Sequence, residues 1–364
     1  MKSTVGYFGG LFLVFFLLWH PTLKQGFDYL DDGCYGLYYR ETFYHPGFFL
    51  PFDFRYSSLA LTMDTYYAPI PTIVFNGLSA LFGQWPIPFY LFGFLLHCLN
   101  AVLVYSLAVL LTKRRFIGML SAAIFLLYPA NRLTTSWVAA IVVHPVTAFF
   151  YLNSLIYWIK FLRTRSHLAY SVSLFSFLCA CFSRFFAITL IPIMVMLELL
   201  CCRDEMQDSR KSRFERFLRW MDWHAPFMLI ALAFLGIAFL KYPMGGIAQK
   251  WGGTTLSGFT IFRFIEFVTW LTFPFFTSVG RPVYIVASAA FLISLVFTIG
   301  GRFEKFLMIW IFLSLGFFTI SNFREIDTLY RYLYIATIPF SMLVSCAVLH
   351  GIEKLKTPKL RHVS

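Results

Sequence analysis

Two adjacent carboxylates, Asp31 and Asp32, sit in the stretch Asp28-Tyr29-Leu30-Asp31-Asp32-Gly33, shortly after a first apolar run. Like charges held side by side raise the pKa of one partner or attract a cation, which suits a general base or a ligand to a divalent ion such as Mg or Mn. A solvated Asp-Gly turn is the plainer alternative. His97 and Asn100 are three residues apart, so on a helix they share a face. That spacing serves acceptor positioning or, more simply, a hydrogen bond between helices. Tyr66 and Tyr67 precede Pro69 and fall in the same acceptor-or-support class. Arg132, Arg184, Arg331 and His144 are scattered cations or potential cations that would suit a phosphate if the fold gathers them. Each of them alone is equally served by snorkelling to a headgroup.

The elements that must position these groups are membrane helices. The chain has 364 residues, 59% apolar and 13% charged, with 46 Phe, 20 Tyr and 9 Trp. A soluble chain carries about a quarter charged residues, so this composition excludes a soluble globular protein. Apolar runs predict about ten spans: 5–23, 86–111, 116–130, 137–159, 168–182, 185–200, 225–240, 282–299, 306–320 and 333–349. The first reads as a signal anchor, since no small-x-small cleavage site follows it. The expected fold class is therefore an all-α polytopic membrane protein, a single domain over residues 1–364.

Nineteen of the 30 Lys and Arg fall on one side of this topology, which places both termini of the multi-pass chain in the cytoplasm, and the lack of any N-x-Ser/Thr sequon leads to the expectation of a plasma membrane. The net charge of +13 is then topology, and no nucleic-acid partner is expected. The segment 262–279 is apolar but broken by Pro274, and is expected to lie on or re-enter the outer face within a second outer loop, 241–281. The first outer loop, 24–85, is long enough to suggest a task of its own. It holds six of the 17 acids, with eleven Tyr and Phe between Phe27 and Phe54. The seven cysteines form no CxxC or Cys/His metal cluster.

The order of these pieces resembles the membrane part of GT-C glycosyltransferases, nearest to the O-mannosyltransferases that carry TPR repeats and their bacterial relatives. The likeness rests on Asp31-Asp32, on Tyr67-Ala68-Pro69 followed by Gly83-Gln84-Trp85-Pro86, and on His97 with Asn100. It continues through Phe125 to Pro129 with Trp137, and ends in Arg331-Tyr332-Leu333-Tyr334. Ala68 stands where the family usually has Arg, and Tyr128 where it often has His. The resemblance implies inverting transfer of a sugar from a polyprenyl-phosphate carrier, within the lipid bilayer, to a protein, glycan or lipid acceptor. Asp31 would be the base and Asp32 its partner or a metal ligand, while Arg184, Arg331, Arg132 and His144 would bind the donor phosphate. A lipid or small-molecule transporter or flippase is the rival class. Transporters tend to show internal repeats, and none stands out here.

Overall fold

The computed structural model describes residues 2–26, 68–83, 85–202, 213–241, 259–273, 286, 288, 300–319 and 329–356. Among them every regular element is helical. In chain order these are α1 (Lys2–Trp19), α2 (Pro69–Phe82), α3 (Pro86–Thr112), α4 (Arg115–Leu127), α5 (Leu133–Ser136) and α6 (Val138–Thr164). There follow α7 (His167–Ser183), α8 (Leu190–Cys201), α9 (Arg213–Lys241), α10 (Phe259–Thr272), α11 (Arg302–Thr319) and α12 (Thr337–Lys356). Short 3-10 turns occupy His20–Lys24, Pro129–Asn131, Phe185–Thr189 and Leu329–Leu333.

Local chemistry sets several boundaries. Pro69 and Pro86 open α2 and α3, where a proline's missing N–H costs no helical hydrogen bond. Helix α3 closes on Lys113 and α6 on Arg165, both in the left-handed region at φ 58° and 55°. Each donates its N–H back into the last turn, to Val109 O and Phe161 O respectively, which offsets a conformation unusual for side chains with a Cβ.

Helix α6 is the hub, packed along α7 and α3, while α4 bridges α3 and α12. Gly93 lets α3 approach α6 so closely that a Cβ there would meet Ile141 Cγ2 at 2.8 Å. Serine pairs fasten neighbouring helices: Ser154 Oγ donates to Ser173 O at 2.9 Å and Ser173 Oγ to Ser154 O at 2.8 Å. Ser121 Oγ likewise donates to Ser345 Oγ between α4 and α12 at 3.1 Å. In a membrane, where the hydrophobic effect adds little between helices, such contacts and close packing hold the bundle.

Four helices among the described residues are long and apolar enough to cross a membrane: 4–24, 86–112, 140–164 and 337–355. This fits an α-helical membrane protein and corrects the expected count of about ten. Helix α4, with 13 residues, reaches about 20 Å, and α8, with 12, about 18 Å, against a hydrocarbon core of about 30 Å. Helix α11 begins with Arg302, Glu304 and Lys305, which shortens its apolar stretch. Residues 282–299, read as a span, lie outside the described residues apart from 286 and 288. The segment read as surface-lying or re-entrant begins as α10, which packs on the bundle: Phe267 and Leu271 are buried, and Phe264 meets Phe312 of α11 at 5.1 Å. The backbone carbonyl of Leu271 also accepts a hydrogen bond from Tyr128 Oη.

Candidate functional site

Three of the sequence-predicted cations converge. His144 lies about two turns into α6, Arg184 occupies the extended residue between α7 and the 3-10 turn at Phe185–Thr189, and Arg331 sits in the 3-10 turn at Leu329–Leu333. Two of the three positions lie where a helix is interrupted, so their backbones can turn side chains inward without breaking a longer helix. His144 and Arg184 are buried, and Arg331 is half-buried. The charges of both arginines act on the His144 imidazole.

Aromatic rings wall this cluster. The imidazole of His144 stacks on Phe186, with centroids 6.2 Å apart and planes 15° apart, and meets Tyr332 edge-on at 5.6 Å. The Arg331 guanidinium lies over Trp137 at 4.6 Å and over Tyr332 at 5.1 Å. Its Nη2 donates to Tyr332 Oη at 3.4 Å. Arg331 Nε and His144 Nδ1 are buried with no hydrogen-bond partner among the described residues. Buried polar atoms are normally satisfied. The Arg331 guanidinium and His144 imidazole, with the charge of Arg184 beside them, would suit an anion, for which arginine's fork of donors is well matched.

His97 and Asn100 play a different part. Both are fully buried on one face of α3, and Tyr334 bridges them. His97 Nε2 lies 3.2 Å from the carbonyl of Leu126, which can only accept, so Nε2 carries the proton. Nδ1 is then the acceptor for Tyr334 O–H at 2.6 Å. The Asn100 amide donates both hydrogens, to Tyr334 Oη at 3.2 Å and to Pro145 O at 2.9 Å. Pro145 follows His144, and Tyr334 lies three residues after Arg331. The His97–Asn100 face therefore braces the two segments that carry the cation cluster.

Arg132 is placed elsewhere. It is exposed and lines a cleft of about 370 Å³ together with Phe15, Trp19, His97, Tyr128 and Asn131, and none of His144, Arg184 or Arg331 lines that cleft. Asp31, Asp32, Tyr66 and Tyr67 lie outside the described residues. The chain is described as far as Gly26, five residues before Asp31, and there the Gly26 carbonyl accepts a hydrogen bond from Tyr90 Oη at 2.8 Å. The divalent cation expected at Asp31 and Asp32 thus has its ligands outside the described residues. Among the described residues no group of three or more His, Cys, Asp or Glu is arranged to hold a metal ion.

Sequence reasoning missed Tyr334 as the bridge and Tyr332 and Phe186 as walls of the cluster. The Arg331-Tyr332-Leu333-Tyr334 string was the only signal for two of them, and Phe186 gave none. Comparison with protein-family models, with curated proteins and with solved structures finds no match for this chain.

Proposed function

We propose that the protein is a membrane glycosyltransferase of the GT-C kind that transfers a sugar from a polyprenyl-phosphate carrier to an acceptor hydroxyl with inversion, on the non-cytoplasmic side of the membrane. The observation that carries this reading is the convergence of His144, Arg184 and Arg331, distant in sequence, in one aromatic-walled cluster at the ends of apolar helices. Its charge suits a phosphate monoanion or dianion, and its setting among apolar helices suits a phosphate attached to a lipid. The motif order from Asp31-Asp32 to Trp137 supplies the rest of the reading.

In the proposed reaction the acceptor oxygen attacks the anomeric carbon from the face opposite the phosphate. Asp31 takes the hydroxyl proton as the new C–O bond forms, and the bond from the anomeric carbon to the phosphate oxygen breaks with its electron pair leaving on the phosphate. Arg184 and Arg331 would stabilise the negative charge that grows on that leaving group. His144, between them, would contribute a hydrogen bond from its ring. His97, Asn100 and Tyr334 would act through the segments they brace, without touching substrate.

Incubating the purified full chain with a panel of polyprenyl-phosphate sugars tests this reading. Consumption of one donor, dependent on Asp31 and with inverted product stereochemistry, is the expected result. No donor consumed, together with no measurable binding of any polyprenyl phosphate, would overturn it.

A further inference from the structure

Arg132, which the proposed reaction does not use, borders a cleft with two unlike walls. Helices α1 and α4 run side by side in one direction: Tyr7 Oη donates to Met119 O near their starts at 2.6 Å, and past their far ends Trp19 Nε1 donates to Thr135 O at 2.9 Å. Between those far ends the turns His20–Lys24 and Pro129–Asn131 leave the cleft of about 370 Å³. Helices α3 and α6 are parallel, with Gly93 against Ile141 and Asn100 against Pro145, and α4 folds back along α3. The cleft therefore opens at the end of the bundle that carries His144, Arg184 and Arg331, although none of these three lines it. We propose that this cleft holds one anionic phospholipid of the surrounding bilayer, with its phosphate on the Arg132 guanidinium and an acyl chain against α1 and α4.

The apolar wall is preformed. Phe15, Trp19 and Leu126 are buried, Phe15 stacks on Phe94 with centroids 5.3 Å and planes 6° apart, and the Trp19 indole is held by its bond to Thr135. Leu18 and Leu127 line the cleft and are exposed, and Leu13, Val14 and Leu17 carry the exposed apolar surface on along α1. That helix is long and apolar enough to cross a membrane, so this surface lies against acyl chains and the cleft opens sideways into them. A volume of about 370 Å³ stands low in the range of small-molecule sites, about 300–1,000 Å³. It suits a head group and the first part of one chain, with the remainder lying along α1.

The head group decides which lipid stays. Lipid tails are as apolar as leucine, so the chain contributes packing and little else. Arg132 is the charged residue of the lining, and among the described residues no carboxylate lines the cleft to oppose it. Its fork of donors matches a phosphate, and Lys24, at the end of the neighbouring turn, adds a second positive charge. Both favour a head group of net negative charge over a zwitterionic one. An arginine that snorkels from a smooth helix face meets whichever lipid passes, whereas walls pinned by Trp19 and Thr135 make a place for a single molecule. The site stands whether or not the protein transfers a sugar.

The full chain in phosphatidylcholine nanodiscs, with a trace of phosphatidylglycerol carrying a diazirine on one acyl chain, provides the test. After illumination and proteolysis, adducts should concentrate on residues 15–25 and 126–135 and be displaced by unlabelled phosphatidylglycerol but not by phosphatidylcholine. Adducts spread evenly over the exposed faces of the bundle would overturn the proposal. Excess inorganic phosphate should leave the adducts in place; displacement by it would make the cleft a site for a free anion. Displacement by a polyprenyl phosphate at lower concentration than by phosphatidylglycerol would make it a carrier site, and either result removes the bilayer phospholipid. Arg132→Gln, at an exposed position, should weaken retention about tenfold, and Arg132→Lys should keep most of it. An unchanged yield in Arg132→Gln would remove the phosphate contact and the proposal with it. If that variant does not accumulate, the wild-type competition decides alone. Arg331→Gln should leave these adducts at their wild-type level, and a tenfold loss there would assign the lipid to the cation cluster instead.

Discussion

Two buried polar clusters hang on the same helix, and they are built on opposite plans. His144 and Trp158 are 14 residues apart on α6, about 21 Å along its axis. Around Trp158 unlike groups meet: the indole N–H groups of Trp158 and Trp220 and the His224 imidazole lie within 2.7 to 3.1 Å of the Glu198 carboxylate. Around His144 three nitrogen-bearing side chains gather, and buried nitrogens of His144 and Arg331 are left without hydrogen-bond partners among the described residues. Around Trp158 both carboxylate oxygens receive indole donors, although His224 Nε2 has no hydrogen-bond partner among the described residues. The cluster around His144 is of a single sign among the described residues, and an anion would complement it.

The strongest challenge to this contrast lies at Asp31. If the cluster around His144 is half of an active site whose base is Asp31, Asp31→Asn should lower transfer by about 10²- to 10⁴-fold while leaving donor binding near its wild-type value. Donor consumption by a protein present at normal membrane levels checks this. Unaltered turnover would leave the cation cluster as a binding site without its proposed chemistry.

Next in size, Glu198→Ala removes one partner of a buried pair and strands the other, a change that costs about 3–5 kcal/mol of stability. Thermal melting in nanodiscs should register it, while the fraction that remains folded binds donor as before. Arg331→Ala should do the reverse. Losing a charged hydrogen bond to a phosphate weakens donor affinity by about 1.5–3 kcal/mol, and melting should move little because no described acid depends on that guanidinium. If both variants lost stability alike and neither lost affinity, the cluster around His144 would be as architectural as the one around Trp158. Tyr334→Phe sits between these two. It leaves His97 Nδ1 without a donor and frees one Asn100 N–H, so about 1–3 kcal/mol of stability should go, with a smaller loss of turnover through the segments carrying His144 and Arg331.

How much of this was legible in the sequence depends on the range of each interaction. The shared face of His97 and Asn100 is a consequence of helical spacing and could be read directly; their bridge, Tyr334, is more than 230 residues away and could not. His144, Arg184 and Arg331 were picked by residue type and depth, and Arg132 by the same criteria. Nothing local distinguishes the three that meet from the one that opens into another cleft, since only the packing of helix ends decides it. The span count erred for a related reason. Hydropathy registers that a run is apolar, not how long a helix the chain makes of it, and α4 and α8 close after 13 and 12 residues. Glu198 carried no signal at all. A single acid near the end of an apolar run reads as a side chain reaching for the headgroups, and its partner lies across a charged connection on another helix.

The smallest expected effect isolates burial from pairing. Arg114 Nη1 and Glu353 Oε1 are 2.7 Å apart, closer than His224 and Glu198, and they join the start of α4 to the end of α12. Their side chains, however, are 55% and 50% exposed. Water solvates both charges whether or not they touch, and ordering two long side chains costs entropy, so exposed pairs of this kind contribute about 0–1 kcal/mol. Arg114→Ala should therefore shift the melting midpoint far less than Glu198→Ala, and raising the salt concentration should shrink the difference further by screening the pair. A loss as large as that of Glu198→Ala, insensitive to salt, would mean that ion pairing as such holds the bundle together. The distinction between the two clusters on α6 would then rest on the count of partners alone. A small, salt-sensitive loss instead ties the weight of the Glu198–His224 contact to its exclusion from water, the same condition that makes it costly for the nitrogens of His144 and Arg331 to lack hydrogen-bond partners among the described residues.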